Sequence, residues 1–128
     1  MGSRNSFSYS YPRPALTVDA VLFSYTGNEL KVLLIQRANY PFKNRWAFPG
    51  GFVEENEVVE FVVEREVNED TSLYISKYYQ FYIAAGAGRD PRGWTISCCY
   101  LEFINWENAK IKAGDDAKNA SWISLINI

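Results

Sequence analysis

The sequence predicts an α/β fold, a mixed β-sheet packed by helices, and three observations carry that expectation. Short runs rich in β-branched and aromatic residues recur along the chain, each bounded by turn residues. One stretch, residues 50–73, has helical rather than alternating periodicity. Strands flanking one good helix, with no internal repeat, fit a mixed sheet better than a serial βαβ array. With 128 residues, 48% of them hydrophobic and 16% aromatic, the chain is one domain's worth and has ample material for a core.

Residues 1–14 are polar, with Ser and Tyr alternating up to Pro12 and Pro14, and are expected to form a flexible or edge segment ahead of a domain spanning 15–128. ALTVDAVLFSY (residues 15–25) reads as a buried strand, TGNE as a turn, and LKVLLIQR (residues 30–37) as the second arm of a hairpin. ANYPFKNRW (residues 38–46) is a loop, and WAFPGGF leads from it into the helical stretch. Residues 73–85 and 94–103 are two further strand candidates, separated by the loop GAGRDPRG. ASWISL (residues 120–125) is the last strand, and Asp115 and Asp116 before it read as a capping pair or as a late acidic group.

Composition narrows the chemistry. A net charge of −2 gives no bulk electrostatic footprint for nucleic acid or an acidic membrane, so an anionic ligand must be held by local groups or a metal. There is no His, which leaves carboxylates as the carriers of acid–base or metal chemistry. Cys98 and Cys99 are adjacent, the wrong spacing for zinc and a poor geometry for bonding each other, and read as structural thiols of a reducing compartment. With no apolar run of membrane-spanning length and no signal-peptide pattern, the expected location is cytoplasmic.

The helical stretch is unusual. Residues 50–73 hold eight of the fifteen acidic residues, opposed there only by Arg65. Val59, Val62, Val63 and Val67 fall at three- and four-residue steps and build an apolar stripe. Glu66, Glu69 and Asp70 stand at i, i+3 and i+4 and are expected to share a patch. Each like-charge pair costs a few tenths of a kcal/mol, and valine is a mediocre helix former, so packing of the stripe must stabilise the helix. The patch is either a solvated acidic face or the seat of a hard divalent cation such as Mg²⁺.

These residues resemble the Nudix motif, G-x5-E-x7-R-E-U-x-E-E-x-G-U with U aliphatic. Counting from Gly51, the sequence supplies Glu57, Arg65, Glu66, Val67, Glu69 and Leu73, and departs with Asp70 for a Glu and Ser72 for a Gly. RPALTVDAVLF, LKVLLIQR, WAFPGGFVE, RDPRGWTIS and GDDAKNASW extend the resemblance to the branch holding ADP-ribose pyrophosphatases and ADP-ribose-sensing transcriptional regulators. It implies an α/β/α sandwich with a mixed sheet, and Mg²⁺- or Mn²⁺-dependent hydrolysis of a nucleoside diphosphate linked to another moiety. By the same resemblance, Glu66, Glu69, Asp70 and the Gly50 carbonyl are metal ligands. Glu57 and Arg65 form an ion pair that orients the helix, and Glu66 or Glu69 takes the proton of the attacking water.

Further ligand contacts are expected from Gly51, from Arg37 at a strand end, and from Arg89 and Arg92 in the glycine-rich loop, where Asp90 and Arg92 also brace each other. Trp46 and Phe48 are expected in the core or stacked on adenine. Asp70, shorter than Glu by a methylene, is expected to reach a metal through water, and Ser72 to strain the helix end. Two functions follow: hydrolysis of ADP-ribose to AMP and ribose 5-phosphate, or ADP-ribose sensing without turnover. The sensor would need a DNA-binding module in a longer protein, as no basic helix-turn-helix segment lies within these 128 residues. The aromatic-rich run 74–82 is a candidate homodimer surface.

Overall fold

Strand β1 (Ala15–Thr26) organises the computed structural model, which describes residues 6–86, 88–114 and 117–127. Residues 1–5 of the N-terminal segment and the Asp115–Asp116 pair lie outside the described residues. After β1 come β2 (Glu29–Arg37), β3 (Trp46–Ala47), β4 (Gly50–Phe52), α1 (Val59–Thr71), β5 (Tyr79–Ala84), β6 (Thr95–Phe103) and β7 (Ala117–Ser124). They form a mixed seven-stranded sheet in the order β3-β2-β1-β6-β5, with β4 paired to β1 and β7 to β2.

β1 runs parallel to β6 from Ala15 opposite Thr95 to Phe23 opposite Phe103. On its other edge it is shared: Thr17, Val18 and Asp19 pair antiparallel with β4, and Phe23 to Thr26 with β2. The expected hairpin between β1 and β2 is present, and its tip holds Gly27 and Asn28 at φ 58° and 64°, the left-handed pair that a two-residue turn requires. Alternation along β1 sends Val18, Ala20 and Leu22, each 0% exposed, into the core.

Helix α1 packs its valine stripe against that core, with Val62, Val63 and Val67 fully buried and Val59 partly so. Burying each valine is worth about 1.5–3 kcal/mol, which outweighs the few tenths of a kcal/mol per like-charge pair on the outer faces. The helix begins without a side-chain cap. It ends at Ser72, which adopts φ 68° and donates its backbone N–H to the Asn68 carbonyl at 2.9 Å.

Two expected strands have different limits. Residues 73–78 belong to no strand, with a bend at Lys77, and β5 starts only at Tyr79. The reason is Glu102 of β6, whose buried carboxylate accepts the backbone N–H groups of Ser76 and Lys77 at 3.1 and 2.6 Å, taking donors that a ladder would have used. The last strand begins three residues earlier than expected, because β2 is long enough to pair with Ala117 across a register shift at Gln36 and Arg37. β5 is an edge strand with Tyr79, Phe81, Tyr82 and Ile83 all exposed. Among the described residues no helix is long and apolar enough to cross a membrane.

Ser72 supports a stability prediction. Its left-handed backbone costs a residue with a Cβ about 1–2 kcal/mol, partly offset by the hydrogen bond from its Oγ to the Lys112 carbonyl at 3.1 Å. Ser72→Gly is expected to stabilise the fold by about 1 kcal/mol and to raise the thermal midpoint by about 3–5 °C, measured by circular dichroism.

Candidate functional site

The site begins with two missing side chains. Gly50 sits opposite Asp19 and Gly51 opposite Val18 in the β4–β1 pairing. A Cβ on Gly50 would stand 2.1 Å from the Val18 carbonyl oxygen and 2.9 Å from Asp19 Oδ1. One on Gly51 would stand 2.6 Å from the carboxyl carbon of Glu66. The dipeptide is thus clasped between a carboxylate of the sheet and a carboxylate of the helix, at a distance only glycine permits.

Beyond Gly51, Arg65 gathers the helix charges. Its guanidinium lies 3.2 Å from Glu57 Oε2, 3.4 Å from Glu66 Oε1 and 3.9 Å from Glu69 Oε2. Glu57 Oε1 also accepts the Glu54 backbone N–H at 2.7 Å, so this pair ties the loop after β4 to the middle of α1. Glu66 and Glu69, bridged by one guanidinium nitrogen, are therefore held near each other at the Gly51 contact.

Asp70 differs from them in exposure. It is only 2% exposed, at the end of α1 where Lys112 and Gly114 donate backbone N–H groups to the carbonyls of Thr71 and Asp70. Helical geometry accounts for this: Asp70 is three residues beyond Val67 and seven beyond Val63, which puts it on the valine stripe as much as on the Glu66 face. Of the three carboxylates expected to share a patch, Asp70 is the buried one, and the Arg65 guanidinium contacts the other two. Among the described residues no group of three or more Asp, Glu, Cys or His is positioned to hold a metal ion.

A pocket of about 220 Å³ opens beside the glycines, lined by Asp19, Arg37, Phe48 and Gly51 and by Arg89 and Arg92 of the β5–β6 loop. Arg37 Nε donates to the Pro41 carbonyl at 2.8 Å, which orients it across the loop after β2. Arg89 donates to Thr95 Oγ1 at 2.9 Å. Arg92 forms a fork on Asp90, with its Nη2 2.7 Å from Oδ2 and its Nε 3.0 Å from Oδ1, and lies 4.6 Å over the Phe52 ring. Hydrogen bonding from Arg92 holds the Asp90 carboxyl down at about 2. Arg92 is thus neutralised by its partner, and the pocket's accessible positive charge comes mainly from Arg37 and Arg89.

Trp46 is 42% exposed on the short edge strand β3, neither in the core nor among the residues lining this pocket. Phe48, two residues on and 41% exposed, lines it together with Phe42. Asp19 is the site residue that sequence reasoning passed over. Burial pushes its carboxyl above the usual range, opposed by a hydrogen bond from Ser97 Oγ and by the charges of Arg89 and Arg92. The signal was present as a lone acidic residue inside the apolar run LTVDAVLF, where an unpaired buried charge would be costly. Cys98 and Cys99 are free thiols, and burial raises the pKa of both.

Comparison with known proteins is decisive at the level of family. The NUDIX domain profile matches residues 13–128. This chain belongs to the Nudix family. Among its Nudix relatives, an ADP-ribose pyrophosphatase of Methanocaldococcus jannaschii is 40% identical over 118 residues, covering 92% of this chain and 66% of that protein. The ADPR responsive transcriptional repressor NtrR of Acinetobacter baylyi is 37% identical over 117 residues, covering 90% of this chain and 46% of the repressor. The NUDIX domain of Shewanella oneidensis NrtR, solved in complex with ADP ribose, superposes with a TM-score of 0.85 at 33% identity, covering 96% of this chain and 80% of that one. The chain spans 66% and 46% of the lengths of these two curated relatives. The Nudix motif runs from Gly51 in β4 through α1 to Leu73, so the glycine clasp and the arginine-centred carboxylates are its structural expression.

The donor set at the clasp suits a hard divalent cation. Glu66 supplies carboxylate oxygens beside Gly51 and Glu69 shares its guanidinium partner, a donor set of hard oxygen atoms.

The two glycines should separate fold from function. Gly50→Ala drives a methyl into the backbone of β1 and is expected to destabilise by about 2–3 kcal/mol. Gly51→Ala meets only the end of Glu66 and is expected to keep the fold while displacing that carboxylate; urea unfolding of both variants checks the contrast. The Asp90–Arg92 fork predicts acid sensitivity of its loop. Because folded Asp90 titrates below the ordinary value of about 4, its stabilisation is complete above that pH and is lost as pH falls from about 4 toward about 2. A carbon-detected NMR titration should give Asp90 a midpoint near 2, returning toward about 4 in Arg92→Ala.

Proposed function

We propose that this Nudix domain hydrolyses a nucleoside diphosphate linked to a sugar, with ADP-ribose as substrate and AMP and ribose 5-phosphate as products. The observation that carries this reading is the juxtaposition of the Glu66–Gly51 clasp with a pocket whose walls hold Arg37 and Arg89. The M. jannaschii relative, itself an ADP-ribose pyrophosphatase, supports it. Arg37 and Arg89 bind the diphosphate, and Phe48 offers a face for the adenine. Glu66 and Glu69, with the Gly50 carbonyl, would hold Mg²⁺ or Mn²⁺. When bound, that ion supplies neutralisation of the diphosphate charge and acidification of a water. Arg65 keeps the two carboxylates in register, and Glu57 fixes Arg65 from the other side. Glu69, the more exposed of the two, takes the proton of the attacking water on a carboxylate oxygen.

A second reading is a sensor that binds ADP-ribose without turnover. It is favoured by one observation, the near-complete burial of Asp70, a side chain one methylene shorter than the Glu that the Nudix motif has there. The NtrR relative is consistent with it.

Incubation with Mg²⁺ and ADP-ribose, followed by chromatography for AMP, separates the two. The hydrolase reading expects AMP, its loss on chelation, and a drop of about a hundredfold or more in Glu66→Gln and in Glu69→Gln. Binding of ADP-ribose with no AMP formed would instead establish the sensor.

A further inference from the structure

Asp19 is a carboxylate in a pocket otherwise built for an anion. It sits at the centre of the sheet, on β1 between its parallel partner Cys99 in β6 and its antiparallel partner Gly50 in β4. Its two oxygens have different surroundings. Oδ2 takes the hydroxyl hydrogen of Ser97, a side chain that is 0% exposed. Oδ1 lies on the Gly50 side, and among the described residues no hydrogen bond reaches it. Arg92 is paired with Asp90, and Arg89 donates to Thr95; both act on Asp19 through charge at longer range, and among the described residues neither forms an ion pair with it. The pocket thus presents cationic guanidinium groups and, a short way off, one acceptor-only oxygen.

An acceptor of this kind repels a phosphate and welcomes a donor. Sugar hydroxyls are the donors that a nucleoside diphosphate sugar carries in abundance, and a carboxylate that accepts from a ribose hydroxyl rejects the same ribose once it is phosphorylated. Resting on the nucleotide reading above, we propose that Asp19 is a specificity-determining residue whose Oδ1 accepts a hydrogen bond from a ribose hydroxyl, selecting ligands whose riboses are unphosphorylated. Ser97 positions the carboxylate by occupying its other oxygen, and the bare Cα of Gly50 leaves Oδ1 room to be reached.

The sign of the selectivity distinguishes Asp19 from general electrostatics. Arg37 and Arg89 acting alone would favour the ligand with more negative charge. Asp19 reverses that order.

Calorimetric titration of the wild-type chain and of Asp19→Asn with three probes tests this: ADP-ribose, ADP-ribose phosphorylated on the adenosine ribose, and ADP-ribose phosphorylated on the distal ribose. The wild type is expected to bind ADP-ribose at least about tenfold more tightly than one of the phosphorylated forms. Asp19→Asn, near-isosteric and uncharged, is expected to bring that same pair within about threefold, chiefly by tightening the phosphorylated ligand; the two phosphorylated arms identify which ribose is read. Tightening is a gain that a merely destabilised variant would not show. Equal wild-type affinity for all three probes overturns the inference and leaves the nucleotide reading intact, as does a preference that survives in Asp19→Asn. If Asp19→Asn does not fold, the wild-type order decides alone. Absence of binding by all three probes overturns the nucleotide reading and this inference with it.

Discussion

The closeness of one dipeptide to its neighbours on both sides is the constraint from which the rest of this structure follows. Gly50 and Gly51 let β4 lie against β1 and let α1 bring Glu66 down onto β4. Two acidic side chains from distant parts of the chain therefore face each other across a strand of three residues. A Cβ at either position would push one of them away, so the separation between sheet and helix is set by atoms that are absent. The pocket beside the dipeptide inherits its depth and its mixed polarity from that arrangement.

Charge is managed by a small number of well-placed cations. Arg65 serves three carboxylates at once, and its Nε atom is buried with no hydrogen-bond partner among the described residues, so its fit here is imposed by its neighbours. In the β5–β6 loop the opposite strategy holds: Arg92 is locked to one aspartate and lies over the Phe52 ring, which balances its charge within the loop. The valine stripe provides the energy that lets so acidic a helix persist, since three fully buried side chains outweigh the repulsion on the exposed faces.

Much of this was legible in the sequence, for identifiable reasons. The strands announced themselves by β-branched runs between turn residues, and the helix by its valine spacing and the motif threaded through it. What escaped was decided by tertiary partners. Glu102 took the backbone donors that would have made residues 73–78 a strand. Asp70 fits two helical faces by spacing, and packing of the 112–114 segment against the helix end accompanied its burial. Trp46 looked like core because of its size, yet β3 is a two-residue edge strand with little to cover it. Asp19 was hidden in an apolar run whose burial was predicted correctly but whose one charged member was not questioned.

The parallel pairing of β1 with β6 also governs when the molecule can assemble. The hydrogen bond from Ser24 Oγ to the Ile104 carbonyl closes a loop of 80 residues, and the ladder beside it is equally non-local. Loop-closure entropy must be met before such contacts contribute, and topologies of this kind fold in about milliseconds to seconds rather than microseconds. During synthesis the β1–β2 hairpin and α1 can form early, but Ser97, Arg89 and Arg92 reach Asp19 only after β6 has left the ribosome. Until then a half-finished chain exposes the apolar edge of β1, and it is in that interval that the protein depends most on being shielded from its neighbours.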